Sequence, residues 1–237
     1  MKIYILVVTS LMGIVLSLTT AKQEGKHLFI LSGQSNMARL VPEDSFTPAL
    51  ESAFGADNVL VVKQASGGKP IRRWYRDWKP LSGEVPEAQA DLYDTLMTRV
   101  LATIKAEKIA TITFVWMQGE RDAREKHGAV YEASLIGLYD QLCNDLARKD
   151  INFIIGRLSD FDLSNEKYPH WTMIRKIQVR VADSNPRFAW INTDDLNDGL
   201  NSNGKEIEND LHMSKEGYIL MGQRFADQAI RLIKEKN

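Results

Sequence analysis

Five short apolar runs recur along this chain, and each one leads through a loop into a longer segment. The runs are rich in Val, Ile, Phe and Trp and are nearly continuous rather than alternating, which is typical of strands buried on both faces. We predict strands at residues 26–33, 58–66, 110–119, 152–159 and 187–194. Few architectures accept such strands, because both faces of the sheet must then be covered by other elements.

Apolar residues recur every three or four positions between these runs, a spacing that predicts amphipathic helices. The predicted helices span residues 86–108, 131–149, 170–183 and 214–236. Pro86 suits a first helical turn, and Ser214 suits an N-cap. Strands and helices that alternate in this way imply right-handed parallel crossovers. We therefore predict an α/β fold, a three-layer α/β/α sandwich with a five-stranded parallel sheet.

The composition is that of an ordinary globular protein. Of the 237 residues, 44% are hydrophobic, and 30 basic side chains nearly balance 31 acidic ones to give a net charge of −1. This balance argues against a general nucleic-acid binder, which would carry a basic excess. No repeat or linker interrupts the chain, so we predict a single domain over residues 22–237.

The first 21 residues have the order of a secretory signal peptide. A basic start at Lys2 precedes an apolar run over residues 3–18, and small residues follow at positions 19–21. We predict a signal peptide over residues 1–21, hence a secreted or periplasmic protein with no membrane attachment after cleavage. The alternative is an N-terminal membrane anchor, although the apolar run is near the lower length limit for a span.

Metal and disulfide chemistry find little support in the sequence. Cys143 is the single cysteine, so no disulfide can form within the chain, and we expect it to be a small buried apolar residue. His27, His127 and His170 lack metal-ligand spacing. The Gly-Gly stretch at residues 66–70 lacks the frame of a phosphate-binding loop. We predict neither a metal nor a cofactor.

Residues suited to ester chemistry follow the predicted strands. They are Ser35 after the first strand, Gly67 and Gly68 after the second, Gln118 and Glu120 after the third, and Asp210 with His212 between the fifth strand and the last helix. Each residue alone is common in turns and caps. Parallel strands, however, bring their carboxyl ends to one edge. A hydroxyl, an imidazole and several donors at one edge are what ester cleavage requires.

These motifs resemble a known enzyme family. The blocks GQSN, Gly-Gly, QGE and the Asp-His pair, in that order, are similar to those of the SGNH (GDSL-type) hydrolases, in the branch of sialate O-acetylesterases and acetylxylan esterases. The resemblance runs from Ser35 to His212. It implies a flavodoxin-like fold and a serine esterase that removes O-acetyl groups through an acyl-serine. The implied substrate is a carbohydrate, either acetylated xylan or hemicellulose or a sialic-acid-type sugar.

The resemblance also implies a role for each residue. Ser35 would be the nucleophile, and its own backbone N–H would belong to the oxyanion hole. Gly68 would supply a second backbone donor, with Gly67 as the alternative. The side-chain amide of Gln118 would be the third donor. His212 would act as general base and then as general acid.

The acid that orients the imidazole departs from the family pattern. Asn209 stands three residues before His212, where the family has an aspartate, and Asp210 stands only two before. We expect Asp210 to be the orienting acid and Glu120 to assist it, while Asn36 braces the loop. A third possibility is the acidic cluster of Asp194, Asp195 and Asp198. A dyad without a side-chain acid also remains open.

Residues 71–80, which read IRRWYRDWKP, follow the Gly-Gly pair. We expect Trp74 to offer an indole face to a sugar ring, and Arg73 to meet a hydroxyl or carboxylate. The alternative is a segment whose aromatic rings only cover the core.

Two other functions fit the same residues. One is an esterase that acts on non-carbohydrate or peptidoglycan acyl esters. The other is a catalytically inactive SGNH-like module that binds glycans, for which the displaced acid is the only support. The predicted partner is a small-molecule or polysaccharide acetyl ester, and the sequence leaves the oligomeric state open.

Overall fold

The computed structural model of the protein describes residues 24–84 and 90–235. Its helices and strands are, in chain order, β1 (Lys26–Gly33), α1 (Ser35–Arg39), α2 (Phe46–Phe54), β2 (Val59–Ala65), α3 (Asp91–Ile104), β3 (Ile109–Met117), α4 (Glu120–Arg124), α5 (Gly128–Asp145), β4 (Asn152–Gly156), α6 (Trp171–Asp183), β5 (Phe188–Ile191), β6 (Gly199–Leu200), β7 (Glu206–Ile207) and α7 (Lys215–Lys234). Short 3-10 turns cover Pro42–Asp44, Ala56–Asn58 and Ile71–Arg73.

The main sheet has the strand order β2-β1-β3-β4-β5, and every neighbouring pair is parallel. The five predicted strands and the α/β class are therefore confirmed. The first predicted strand coincides with β1, whereas β3 ends at Met117, two residues earlier than predicted. Gln118 and Gly119 thus leave the sheet and belong to the loop that follows it.

Helices cover both faces of this sheet. Side chains alternate along each strand, so Leu28 and Ile30 pack on one face with α3, α5 and α6. Phe29 and Leu31 pack on the other face with α2 and α7. Both faces are apolar for this reason, which explains the nearly continuous hydrophobic runs in the sequence.

The helical predictions are largely confirmed. Ser214 caps α7, because its side chain accepts a hydrogen bond from the Gly217 N–H at 3.0 Å. Pro86 and the predicted signal peptide lie outside the described residues. The pattern did not reveal α1, α2, α4 or the β6–β7 hairpin, all of which are short. Within the described ranges, no helix is both long enough and apolar enough to cross a membrane.

The strand order determines where a ligand would bind. The chain passes from β1 to β2 on one side and then returns to place β3 on the other side of β1. In such sheets a crevice opens beyond the carboxyl ends of the strands at this reversal. The loops after β1 and β3 border that crevice, and they carry the GQSN and QGE motifs.

Candidate active site

The candidate nucleophile stands directly after the central strand. β1 ends at Gly33, whose φ of +142° is one that side chains rarely adopt, and a Cβ there would lie 2.0 Å from the Met117 carbonyl oxygen. The Gln34 N–H donates to that same carbonyl at 3.0 Å. Ser35 then begins α1 and faces the crevice. The glycine is needed because β1 and β3 approach so closely at this point.

Ser35 meets His212 across 177 residues of chain: the His212 Nε2 and Ser35 Oγ atoms are 3.1 Å apart. His212 lies in the loop before α7, and the cap at Ser214 fixes the start of that helix. Burial lowers the pKa of His212 below its ordinary value, and the nearby Arg39 lowers it further, whereas Asp210 opposes both effects. The imidazole is therefore neutral at pH 7 and able to accept a proton from the hydroxyl.

Asp210 lies beside His212 without a hydrogen bond to its ring. The Asp210 Oδ1 atom is 3.8 Å from the His212 Nδ1 atom, and it accepts the backbone N–H of His212 at 2.9 Å. The Asp210 side chain is 42% exposed. A carboxylate so placed favours the protonated imidazole electrostatically but does not fix the ring by a direct bond.

Glu120 reaches the histidine loop through an intermediate residue. Its Oε1 accepts from the Asn36 Nδ2 atom at 2.9 Å, and the same amide donates to the Leu211 carbonyl at 3.2 Å. The Tyr218 hydroxyl donates to the Asn36 Oδ1 atom at 2.9 Å. Asn36 therefore braces the loop, as expected, and ties Glu120 to the residue before His212.

Glu120 is 1% exposed, and its second oxygen has no hydrogen-bond partner within the described part of the chain. Burial raises the pKa of Glu120 to about 7, although backbone N–H groups and Asn36 favour the ionised form. The three acidic residues of the alternative cluster pair elsewhere. Asp194 binds Arg157 and Arg175, Asp195 binds Arg224, and Asp198 accepts the Asn209 N–H.

The Gly-Gly loop lies against the candidate nucleophile. A Cβ built on Gly67 would be 3.7 Å from the Ser35 Cβ, and Gly68 has a left-handed φ of +67°. Both glycines line the crevice. Among the described residues, the N–H groups of Ser35 and Gly68 have no hydrogen-bond partner, so both remain available to a ligand oxygen.

Gln118 does not line the crevice, which corrects the expectation that its amide is an oxyanion donor. Its Nε2 donates to Asp122 Oδ2 at 2.6 Å, to the Lys69 carbonyl at 3.2 Å and, more weakly, to Gln34 Oε1 at 3.3 Å. The Tyr131 hydroxyl donates to its Oε1 at 3.1 Å. The side chain is fully buried, and its amide hydrogens already have acceptors.

A comparison with protein families identifies the family of this chain. Residues 38–231 match the profile of the family described as carbohydrate esterase, sialic acid-specific acetylesterase. The chain belongs to this family. The protein is therefore a carbohydrate esterase, a carboxylic ester hydrolase, and the resemblance to the sialate O-acetylesterase branch is confirmed. A search of curated proteins finds no match.

Solved structures share the fold of this esterase. A protein from Arabidopsis thaliana is 19% identical, with a TM-score of 0.65 over 88% of this chain and 98% of that chain. A carbohydrate acetylesterase from Xanthomonas citri is 15% identical, with a TM-score of 0.63, over 86% of this chain and 56% of that one. NanS is 14% identical, with a TM-score of 0.61, over 90% and 98%.

Trp74 and Arg73 do not line the crevice of the esterase, which corrects the expected sugar-binding wall. Trp74 is 0% exposed and packs edge-on against Trp116, with ring centroids 5.2 Å apart. Arg73 makes a two-pronged ion pair with Asp91 at the start of α3. The 3-10 turn at Ile71–Arg73 directs this segment into the core, so a buried indole has no face to offer a sugar.

Three arginines that the motifs did not single out border the crevice, which has a volume of about 360 Å³. Arg39 lies four residues after Ser35, and Arg121 and Arg124 lie on α4 directly after the QGE motif. Tyr168 also lines the crevice, and the buried Asp162 carboxylate accepts its backbone N–H at 2.6 Å. The spacing of Arg121 and Arg124, three apart on a helix, was the signal available in the sequence.

Metal ligands do not gather in this site. Across residues 24–84 and 90–235, no group of three or more His, Cys, Asp and Glu side chains is arranged to hold a metal ion. Cys143 is half-buried, and burial raises the pKa of its thiol.

Proposed function

We propose that this esterase removes O-acetyl groups from a carbohydrate through an acyl-serine intermediate. The observation that carries the proposal is the hydrogen bond between Ser35 Oγ and His212 Nε2, at 3.1 Å, in a crevice that also holds unpaired backbone donors. Hydroxyl, base and donors are the groups that acyl transfer requires, and they meet at one edge of the sheet.

In the first step His212 takes the Ser35 proton as the serine oxygen attacks the acetyl carbonyl. The N–H groups of Ser35 and Gly68 stabilise the oxyanion that develops. The tetrahedral intermediate then expels the sugar oxygen, which receives the proton from His212. A water molecule, deprotonated by the same imidazole, cleaves the acetyl-serine and releases acetate. Asp210 favours the imidazolium electrostatically, and Glu120 holds the histidine loop through Asn36.

The substrate is proposed to be an acidic sugar of the sialic-acid type rather than acetylated xylan. The support is the cationic wall of the crevice. Arg124 makes no ion pair or side-chain hydrogen bond within the described residues, whereas Arg121 already pairs with Glu125 at 2.6 Å. Guanidinium groups bind carboxylates by charge-assisted hydrogen bonds, and a neutral xylan chain offers no such group.

The catalytic roles can be tested by replacing Ser35 and His212 with alanine. Each variant should release acetate at least about 10³-fold more slowly, because each member of such a pair is needed by the other. Ser32→Ala and His27→Ala are matched controls. Ser32 donates to the Gln64 carbonyl within the sheet, and His27 bonds Thr111 at the opposite end of β1. Near-normal turnover by Ser35→Ala would refute the proposal.

The substrate class can be tested by comparing acetylated sialic acid, acetylated xylan and acetylated peptidoglycan, with acetate release as the measurement. Arg124→Ala should raise KM for the acidic sugar by about 10- to 100-fold, the value of a charge-assisted hydrogen bond, and leave the hydrolysis of a small neutral acetyl ester unchanged. Equal rates on xylan would contradict this substrate. Glycan binding without labelling of Ser35 by an organophosphate would favour the inactive module.

Export through residues 1–21, and a single mature domain over residues 22–237, are also proposed. The support is the sequence pattern alone. The mass of the protein recovered outside the cytoplasm should correspond to a chain that begins at Lys22. Recovery of the full-length chain in the membrane fraction would favour the anchor.

A further inference from the structure

Asp122 is a buried carboxylate with no part in the chemistry described so far. It lies on α4, two residues after Glu120, and is 0% exposed. Its Oδ2 accepts two hydrogen bonds, from Gln118 Nε2 at 2.6 Å and from the Ile71 backbone N–H at 2.8 Å. Its Oδ1 has no hydrogen-bond partner within the described chain.

These two hydrogen bonds, together with those of Gln118, join three loops of the crevice. Ile71 follows the Gly67–Gly68 pair by three residues, so its N–H anchors that loop. Gln118 belongs to the loop after β3, and its amide also donates to the Lys69 carbonyl and to Gln34. Gln34 stands directly before Ser35. One carboxylate oxygen thus lies where the nucleophile loop, the Gly-Gly loop and the β3 loop meet.

Burying a carboxylate at such a point costs desolvation free energy. Burial raises the pKa of Asp122 to about 7, even though Gln118, the Ile71 N–H and Arg72 favour its ionised form. Apolar side chains of similar size commonly stabilise a core as well as buried charges do. Stability of the core alone therefore does not account for a carboxylate here, whereas geometry does.

The geometry of an oxyanion hole is demanding. Donors act on the developing charge when they are about 2.7–3.1 Å from it, and a misplacement of about 1 Å can cost about 100-fold in rate. The Gly67–Gly68 pair is intrinsically flexible, and Gly68 has no atom within 4 Å of the point where a Cβ would stand. The loop therefore depends on anchors beyond the glycines, and Asp122 supplies one of them.

We infer that Asp122 is a positioning residue that holds the Gly67–Gly68 loop against Ser35, with Gln118 as the bridge between them. Asp122 touches neither the substrate nor the reacting atoms, and it acts by keeping the Gly68 N–H aimed at the carbonyl oxygen. The inference rests on the proposed esterase function for its kinetic consequences, but the anchoring of the loop can be measured without it.

The test compares Asp122→Ala with Asp122→Asn. In Asp122→Ala, kcat for a small neutral acetyl ester should fall about 100-fold while KM changes less than about threefold, because the lost interaction acts in the transition state. Asp122→Asn retains an oxygen that accepts from Gln118 and Ile71, so it should recover kcat to within about tenfold of the unaltered protein. Backbone hydrogen exchange at residues 66–71 should be at least about tenfold faster in Asp122→Ala.

Asp145→Ala is the control for the loss of an anchoring carboxylate at a more exposed position, away from the crevice. Asp145 accepts the Tyr93 hydroxyl at 2.8 Å and pairs with Arg76 at 2.9 Å, at the end of α5 that lies away from the rim. This variant should lose stability but keep kcat and the exchange rates of residues 66–71. Unchanged kcat and exchange in a folded Asp122→Ala variant would overturn the inference, as would equal loss of kcat in Asp145→Ala.

The outcomes separate this inference from the proposed function. If the unaltered protein is inactive but loop exchange is still faster in Asp122→Ala, the proposed function is refuted and the anchoring role of Asp122 stands. If the unaltered protein is active and Asp122→Ala changes neither loop exchange nor kcat, the proposed function stands and the anchoring role of Asp122 is refuted. If Asp122→Ala does not fold, the decision passes to Asp122→Asn. Anchoring predicts loop exchange close to that of the unaltered protein, and exchange as fast as in an unanchored loop overturns it.

Discussion

Two segments border the crevice, α4 and the loop before α7, and their acidic residues differ in burial. On α4, directly after the β3 loop, Glu120 and Asp122 are buried, and burial raises the pKa of each to about 7. In the loop before α7, the Asp210 side chain is 42% exposed and His212 is half-buried. The buried carboxylates accept hydrogen bonds from other segments of the chain. The partly exposed Asp210 lies near the His212 ring without a hydrogen bond to it.

The difference indicates a division of labour. α4 acts as a frame, since its carboxylates Glu120 and Asp122 hold Asn36 and the Gly-Gly loop by hydrogen bonds. The α7 loop carries the group that must gain and lose protons, and contact with water keeps that exchange possible. Burial of Glu120 and Asp122 thus fixes the positions of their hydrogen-bond partners, and partial exposure of the loop before α7 allows proton transfer at His212.

The largest effect is expected from the loss of Glu120, and a smaller one from the loss of the Asp210 charge. Glu120→Ala removes the acceptor for Asn36, so Ser35 and the residue before His212 lose a shared support, and kcat should fall about 100-fold. Asp210→Asn should lower kcat by about tenfold or less, because its carboxylate lies 3.8 Å from the ring and is exposed to water. Acetate release under saturating substrate measures both. A larger loss in Asp210→Asn would make the exposed acid the main orienting group.

Glu120→Gln sharpens the comparison, because it removes the charge and keeps the acceptor for Asn36. The pKa of Glu120 is raised in the folded state, so the fold favours its protonated form. Its stabilising contribution is present below about pH 4.5 and is lost as the pH rises through about 7. At pH 8 the variant should therefore be more stable than the unaltered protein by about 1–3 kcal/mol.

Urea denaturation at pH 5 and pH 8 measures this difference, which should nearly vanish at the lower pH. Equal stability of the two proteins at pH 8 would show that Glu120 carries its charge without cost. A kcat of Glu120→Gln close to that of the unaltered protein would support the frame, and a loss as large as in Glu120→Ala would assign the charge itself a role.

A smaller effect is expected from Tyr218→Phe. The Tyr218 hydroxyl donates to Asn36 from α7, so its removal leaves a buried amide oxygen without this donor and should cost about 1 kcal/mol of unfolding free energy. Because Glu120 still holds the other end of Asn36, kcat should fall by less than about tenfold. Thermal unfolding and steady-state kinetics test this, and unchanged stability would remove Tyr218 from the frame.

The smallest effect concerns the α7 loop and the charge beside it. Arg39 lowers the pKa of His212, so Arg39→Ala should raise that pKa and move the acid limb of kcat/KM to higher pH, since the imidazole must be neutral to act as base. A neutral acetyl ester is the appropriate substrate, because Arg39 also lines the crevice. A shift of the acid limb to lower pH would show that another group controls it.

Sequence reasoning predicted the parts of this site that follow from strand ends. Ser35 and the Gly-Gly pair stand where an apolar run stops, and His212 lies between the fifth strand and the last helix. Parallel strands bring these segments to one edge of the sheet. The same reasoning misplaced Trp74 and Gln118, because a residue that follows a strand can turn inward or outward. A 3-10 turn decides this for Trp74, and the hydrogen bonds to Asp122 decide it for Gln118.

The amino-acid pattern by itself determined the layers and the parallel direction of the strands, because continuous apolar runs need cover on both faces and the intervening helices supply it by parallel crossovers. It also determined which loops share an edge. Only the tertiary structure decided which side chains on that edge reach the crevice and which carboxylates are buried. Those choices depend on contacts between residues far apart in the chain, such as Asn36 with Tyr218 and Ile71 with Asp122, which leave no periodic signal in the sequence.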